Sequence, residues 1–175
     1  MTRGCGMECN ERMIKLYTRV YSRPANARLL KLIGAVSVVY VVAVYVAMCV
    51  IALTDRGWQS LARVIVMTAI PFLLVSLMRR FLNFQRPYEV IDFEPFDKMK
   101  AQRKAGESFP SRHVFSAFLI GTILFEYSLM LGVITLLVGV CIAAQRVVLG
   151  IHFIKDVTAG ALIGALSGAI GTLFL

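Results

Sequence analysis

Apolar residues fall along this chain in five long runs separated by polar segments, which is typical of a membrane protein. Three runs have roughly the 20 residues that a helix needs to cross a bilayer core of about 30 Å, namely residues 32–53, 114–131 and 157–175. Two runs are less uniform: residues 61–78 include Arg63 and Pro71, and residues 133–149 stay apolar until Gln145 and Arg146. We therefore expect an all-α integral membrane protein with about five transmembrane helices in one domain, residues 1–175.

The first 31 residues have a different pattern, and we interpret them as an arm at the membrane interface. Within residues 11–22 the apolar side chains fall on one helical face and the basic ones, Arg12, Lys15 and Arg19, on the other. This pattern predicts an amphipathic helix on an anionic membrane surface, which Pro24 ends. A disordered basic arm is the alternative. We expect no cleavable signal peptide here, because the segment is charged throughout and lacks an apolar core.

The composition agrees with a membrane protein, since 58% of the residues are hydrophobic and the mean hydropathy is +0.75. The formal net charge is +9, but the basic residues follow the loops between spans, so we expect no nucleic-acid partner. With five spans, the N-terminus and the loops 79–112 and 146–155 share one side and carry seventeen Lys or Arg residues. The other side has only Arg56 and Arg63, so the positive-inside rule predicts a cytoplasmic N-terminus and loop 79–112.

The last apolar run carries small residues at regular spacing, with Gly160, Gly164 and Gly168 recurring every four residues. Small residues at this spacing allow close approach of another helix. We expect packing within the chain, and a homodimer through this helix is the alternative.

Polar residues gather in three segments at ends of the predicted spans. Arg79 and Arg86 are seven residues apart, two helical turns, where the second span ends. The sequence Pro110-Ser111-Arg112-His113 opens the third span, where free backbone N–H groups and the helix dipole favour an anion. Arg146, His152 and Asp156 follow the fourth span. All three segments lie on the same predicted side of the membrane.

These residue types suit phosphoryl transfer. Arginine binds phosphate oxygens in a bidentate manner and stays charged. Asp156 is four residues after His152, so on a helix its carboxylate can orient the imidazole as a nucleophile. His113 can protonate the leaving oxygen and then activate water. This chemistry requires no metal and no cofactor.

The three segments together resemble the signature of the type 2 phosphatidic acid phosphatase superfamily of membrane lipid phosphatases. That signature is Lys, six residues, Arg-Pro; Pro-Ser-Gly-His; and Ser-Arg, five residues, His, three residues, Asp. The chain has Arg79 with Arg86-Pro87, then Pro110-Ser111-Arg112-His113, then Gln145-Arg146, His152 and Asp156, at the same spacings. Both histidines of the chain belong to these motifs.

The resemblance implies roles for individual residues. His152 would form a phosphohistidine, Asp156 would orient it, and His113 would act as general acid and then base. The phosphate would be held by the remaining motif residues, Arg79, Arg86, Ser111 and Arg146.

Three positions depart from the family pattern. Arg79 replaces Lys and Gln145 replaces Ser. Arg112 replaces Gly, which adds either a further substrate-binding cation for a second phosphate or a side chain that points away and pairs with Glu107.

We predict a membrane lipid phosphatase that acts on phosphatidic acid, phosphatidylglycerol phosphate or a prenyl phosphate, with its site on the cytoplasmic face of the cytoplasmic membrane. The expected partners are the lipid phosphate substrate and membrane lipids. An outward-facing undecaprenyl diphosphate phosphatase and a non-catalytic lipid-phosphate binder or transporter are the alternatives.

Overall fold

A computed structural model describes residues 14–15, 17–20, 23–91 and 105–174. The helices are α1 (Pro24–Arg56), α2 (Trp58–Leu82), the short α3 (Pro87–Val90), α4 (Arg112–Ile123), α5 (Leu129–Val148) and α6 (Ile154–Phe174). A 3-10 turn, Leu124–Glu126, follows α4. Within the described residues the chain is helical and has no strand, which confirms the predicted all-α fold.

The predicted spans agree with the structure except for the third. Four described helices, α1, α2, α5 and α6, are long and apolar enough to cross a membrane. The prediction of one helix over residues 114–131 was wrong at its C-terminal end. There α4 ends at Ile123 after 12 residues, and Ser128 begins α5 by accepting a hydrogen bond from the Leu131 N–H at 3.4 Å. Because residues on both sides of this break are apolar, the hydrophobic pattern alone does not show it.

The short helix α4 forms the centre of the bundle. Its side chains from Val114 to Ile123 are mostly buried, and it packs most extensively against α6 and then against α5. The glycine-rich face of α6 makes this contact close. A Cβ on Gly160 would lie 2.7 Å from the Ser111 carbonyl oxygen, and a Cβ on Gly164 would collide with that of Phe115. The predicted packing of the glycines within the chain is therefore observed, while a homodimer through α6 stays a prediction.

The N-terminal arm is described only in part. Residues 14–15 and 17–20 are helical, with Tyr17 buried and Lys15, Thr18 and Arg19 exposed. This agrees with the predicted amphipathic helix over these positions. The rest of residues 11–22 lies outside the described part of the chain.

Candidate active site

The three polar segments meet at one end of the bundle. There α2 ends, α4 begins, and residues 149–153 connect α5 to α6. The backbone N–H of Ser111 donates a hydrogen bond to the Asp156 carbonyl oxygen at 2.9 Å, which holds the start of α4 against the first turn of α6. The resulting cluster is the candidate active site.

Side-chain oxygens at the end of α2 and on α3 hold the loop that enters α4 by accepting hydrogen bonds from backbone N–H groups. Asn83 ends α2 in the left-handed region, and its side-chain oxygen accepts from the Glu107 N–H at 3.2 Å. The Glu89 carboxylate on α3 accepts from the Arg86 N–H at 2.9 Å and from the Gly106 N–H at 2.6 Å. Gly106 itself has a φ of 68°, which favours glycine. These contacts bring the segments before Pro87 and after Gly106 together.

Arg79 and Arg86 are buried side chains that bind carbonyl groups of this loop. Arg79, 3% exposed, donates from Nη1 to the Ser108 carbonyl at 3.2 Å and to the Pro110 carbonyl. Arg86, 8% exposed, donates from Nε to the Gly106 carbonyl at 2.9 Å. A buried guanidinium needs such acceptors because its desolvation is costly. Both positive charges are thus fixed in place beside the loop.

His152 is oriented by a carboxylate and a hydroxyl. Its Nδ1 lies 3.5 Å from Asp156 Oδ2 and 3.3 Å from Ser108 Oγ. Ser108 donates to Asp156 Oδ2 at 2.5 Å, and the Phe153 N–H donates to the same oxygen at 3.0 Å. Since Nδ1 faces this pair, Nε2 lies on the opposite side of the ring, away from the carboxylate.

Burial sets the protonation state of this histidine. Desolvation, together with the smaller effect of the positive charges of Arg86 and Arg79, lowers the pKa of His152 to about 4. The hydrogen bond with Asp156 and its negative charge raise the pKa but do not offset the burial. His152 is consequently neutral near pH 7, and a neutral imidazole has a lone pair for attack.

Four buried polar atoms of the site residues have no hydrogen-bond partner among the described residues. Three of them can donate to an anion, namely Arg79 Nε, Arg146 Nε and Ser111 Oγ, whereas the fourth, Asp156 Oδ1, only accepts. Arg146 is half-buried at the end of α5, and its carbonyl accepts from the N–H groups of Ile151 at 3.0 Å and His152 at 3.3 Å. Buried donors without acceptors are costly in free energy. An anion with several oxygens would satisfy the three donors.

Arg112 and His113 are exposed in the first turn of α4. The charge of Arg112 acts on Arg79, and the charge of Arg86 acts on Arg146, so the four guanidiniums form one positive cluster. Arg112 makes no hydrogen bond or ion pair with any described residue, and its proposed pairing with Glu107 is not observed.

The structure brings the predicted site residues to this one end. Five are buried: Arg79, Arg86, Ser111, His152 and Asp156. The loop 79–112 also contains the basic residues Lys98, Lys100, Arg103 and Lys104, which lie outside the described residues.

Sequence analysis did not identify Ser108, which is fully buried between His152 and Asp156. The sequence shows Ser108 only as a polar residue two positions before the motif Pro110-Ser111-Arg112-His113. Gln145, which stands where the family pattern has Ser, packs against Gly34 of α1, since a Cβ there would lie 2.7 Å from Gln145 Nε2.

Comparison with known proteins gives a family match for most of the chain. The profile of the PAP2 superfamily matches residues 60–175. Over 81 residues the chain is 33% identical to the bacitracin transport permease protein BcrC of Bacillus licheniformis, covering 43% of this chain and 40% of that protein. The chain therefore spans less than half the length of this relative.

Two crystal structures are similar in fold. That of Aquifex aeolicus LpxE has a TM-score of 0.69 and 23% identity, covering 91% of this chain and 94% of the other. That of the first transmembrane PAP2 type phosphatidylglycerolphosphate phosphatase from Bacillus subtilis has a TM-score of 0.71 and 20% identity, covering 99% and 87%. At these identities the likeness concerns the fold alone.

Proposed function

Because this chain belongs to the PAP2 superfamily, the membrane phosphatases that its three motifs resemble, we propose that it hydrolyses a lipid phosphate or diphosphate through a phosphohistidine on His152. One observation carries the proposal. A buried imidazole has Nδ1 directed at Asp156 and Ser108 and lies in the field of Arg79 and Arg86. Nucleophilic catalysis by histidine needs this combination of an oriented ring and positive charge around the phosphate.

In this proposal the reaction has two steps. Nε2 of His152 attacks phosphorus, the bond from phosphorus to the lipid oxygen breaks, and His113 gives that oxygen a proton. His113 then takes a proton from water, and the hydroxide attacks the phosphohistidine, which releases phosphate and restores neutral His152. For a diphosphate the group released first is the lipid monophosphate.

The positive cluster stabilises the charge of the transferred group. Arg79, Arg146 and Ser111 each have a buried polar atom without a partner in the described part of the chain, and in this proposal these atoms bind phosphate oxygens. Arg86 contributes charge while it holds the Gly106 carbonyl. Arg112 extends the cluster toward the exposed side, where a second anionic group of the substrate would lie.

The experiment that tests this function is phosphate release from a panel of lipid phosphates by the purified chain in detergent. His152→Ala removes the nucleophile and should lower kcat by about a thousandfold or more while leaving lipid binding largely intact. Arg56→Ala, at the opposite end of the bundle, is the matched control and should retain turnover. Equal turnover in His152→Ala would remove the nucleophile from the mechanism. Lipid binding without any turnover in the wild type would favour the non-catalytic binder.

The side of the membrane is a separate part of the proposal. We expect the site to face the cytoplasm, since most of the basic residues lie at this end. A cysteine at the exposed position Ala105, in a chain whose native cysteines are replaced, should react with a membrane-impermeant maleimide only after cells are opened. Labelling in intact cells would instead favour an outward-facing undecaprenyl diphosphate phosphatase.

A further inference from the structure

An apolar groove lies between α2 and α6, next to the candidate active site. It has a volume of about 340 Å³, and every residue that lines it is apolar except Ser167. This volume is near the lower end of the roughly 300–1,000 Å³ of ligand pockets, so the groove has room for one hydrocarbon chain rather than several.

The groove forms because α2 and α6 are held by different neighbours. Along its glycine face α6 packs tightly on α4, whereas α2 packs only lightly against either of them. At the deep end, Gly171 has no side chain, and a Cβ there would lie 3.1 Å from the end of the Met67 side chain. The two helices therefore leave a channel between their facing side chains.

The groove begins beside the positive cluster. On α2 it extends from Met78, the neighbour of Arg79, to Val66, a distance of about 18 Å along the helix. On α6 it begins at Ile163, about two turns after Asp156. One end of the groove thus lies one residue from Arg79 on α2 and about two turns from Asp156 on α6. From there the groove extends over a length of more than half of a hydrocarbon core of about 30 Å.

From this arrangement we infer that the groove between α2 and α6 binds the hydrocarbon tail of the lipid substrate. The inference rests on the proposed function. The occupant must be apolar along the groove and anionic at the end next to Arg79, and a lipid phosphate has both properties. A tail in the groove would hold the phosphate beside His152, so the groove would select substrates by the length of their tail.

The test compares two tryptophan variants that differ by one position on α6. Ser167→Trp fills the groove, while Leu166→Trp places the same tryptophan side chain at a position that is 61% exposed and does not line it. For each variant kcat/KM is measured in detergent with dihexanoyl and dipalmitoyl phosphatidic acid, and the ratio of long-chain to short-chain values is compared with that of the wild type.

We expect Ser167→Trp to lower this ratio about tenfold, because several methylene groups lose their apolar contacts while a short chain has few to lose. Leu166→Trp should leave the ratio within about twofold of the wild type. Ile170 also lines the groove, about one turn further along α6, and Ile170→Trp should lower the ratio as Ser167→Trp does. This second variant replaces Ser167→Trp in the test if that protein does not fold.

The possible failures are distinguishable. If both groove variants keep the wild-type ratio of long-chain to short-chain kcat/KM, and the wild type turns over the short-chain lipid normally, the groove does not bind the lipid tail. The proposed function would remain intact. An equal fall in Leu166→Trp would assign the effect to general contact of α6 with lipid or with a second copy of the chain. Absence of turnover by the wild type with both of these lipids and with every other lipid phosphate of the panel would refute the proposed function itself.

Discussion

The two ends of the helix bundle use arginine in different ways. At the site end, Arg79 and Arg86 are buried and donate to backbone carbonyls of one loop. At the opposite end, Arg56 is exposed and lies 5.0 Å from the centre of the Tyr127 ring. A buried guanidinium with fixed acceptors is held in one position, whereas an exposed one keeps its hydration and conformational freedom. The comparison separates buried arginines, which we propose bind the phosphate, from an exposed arginine that suits the membrane interface.

The segments that connect the helices also differ between the two ends of the bundle. At the opposite end, Gly57 alone joins α1 to α2 with a φ of 80°, and a 3-10 turn leads from α4 toward α5. At the site end, α2 and α4 are joined by residues 83–111, whose described parts are fastened by Glu89, Asn83 and Arg86. Short turns only reverse the chain, while the fastened loop also positions side chains.

Among the residues around His152, the largest effect should come from replacing Asp156, whose carboxylate is fully buried at the site end. Asp156→Asn should lower kcat by about a hundredfold or more, because the imidazole loses its oriented acceptor. The carboxylate also raises the pKa of His152, which is about 4 in the intact site, so in the variant this pKa should fall further. The acid limb of the kcat/KM profile should move to lower pH, and a move to higher pH would contradict the contact.

Arg79→Ala should have the next largest effect, because it removes a charge and also leaves the carbonyls of Ser108 and Pro110 without their donor. We expect kcat/KM to fall about a hundredfold and the free energy of unfolding to fall by about 2 kcal/mol. Arg80→Ala, next in sequence but exposed, is the matched control and should change stability by less than about 0.5 kcal/mol. Equal effects of the two substitutions would remove the distinction between buried and exposed arginines.

Ser108→Ala tests the residue that sequence analysis missed. Without the hydroxyl, Asp156 Oδ2 keeps only the Phe153 N–H and the imidazole as partners, so we expect kcat to fall about tenfold with little change in KM. Ser116→Ala, on α4 outside the hydrogen-bonded cluster, is the control. A fall in thermal stability with unchanged kcat would assign Ser108 a purely structural role.

The site was predictable from sequence where its residues are close along the chain. His152 and Asp156 are four residues apart, and this spacing indicated their contact, although His152 lies just before α6 rather than on the helix as expected. Ser108 was not predictable, because its position depends on a loop that Asn83 and Glu89 fasten from distant parts of the sequence. The end of α4 was missed for a different reason: the apolar pattern continues through it, and only Ser128 signals a new helix.

The glycine face of α6 supports the site end from within the bundle, and Gly164→Ala tests that support. The added methyl group would collide with the Phe115 carbonyl, which belongs to a backbone that cannot move easily. We expect a loss of about 2 kcal/mol in stability. Gly171→Ala places the same group 3.1 Å from the flexible end of Met67 and should cost less. Thermal unfolding of both variants in detergent makes the comparison, and equal losses would contradict it.

The smallest effect should come from Arg56→Ala at the opposite end. The Arg56 guanidinium is exposed, and among the described residues its contact is with the Tyr127 ring. An exposed cation–π contact contributes about 0.5–1 kcal/mol, so thermal stability should fall only slightly. Phosphate release should stay at the wild-type rate, because neither Arg56 nor Tyr127 contacts the loop that positions His152. A variant that stays folded but loses turnover would show that the two ends are coupled, and the arginines at the opposite end would then belong to the mechanism as well.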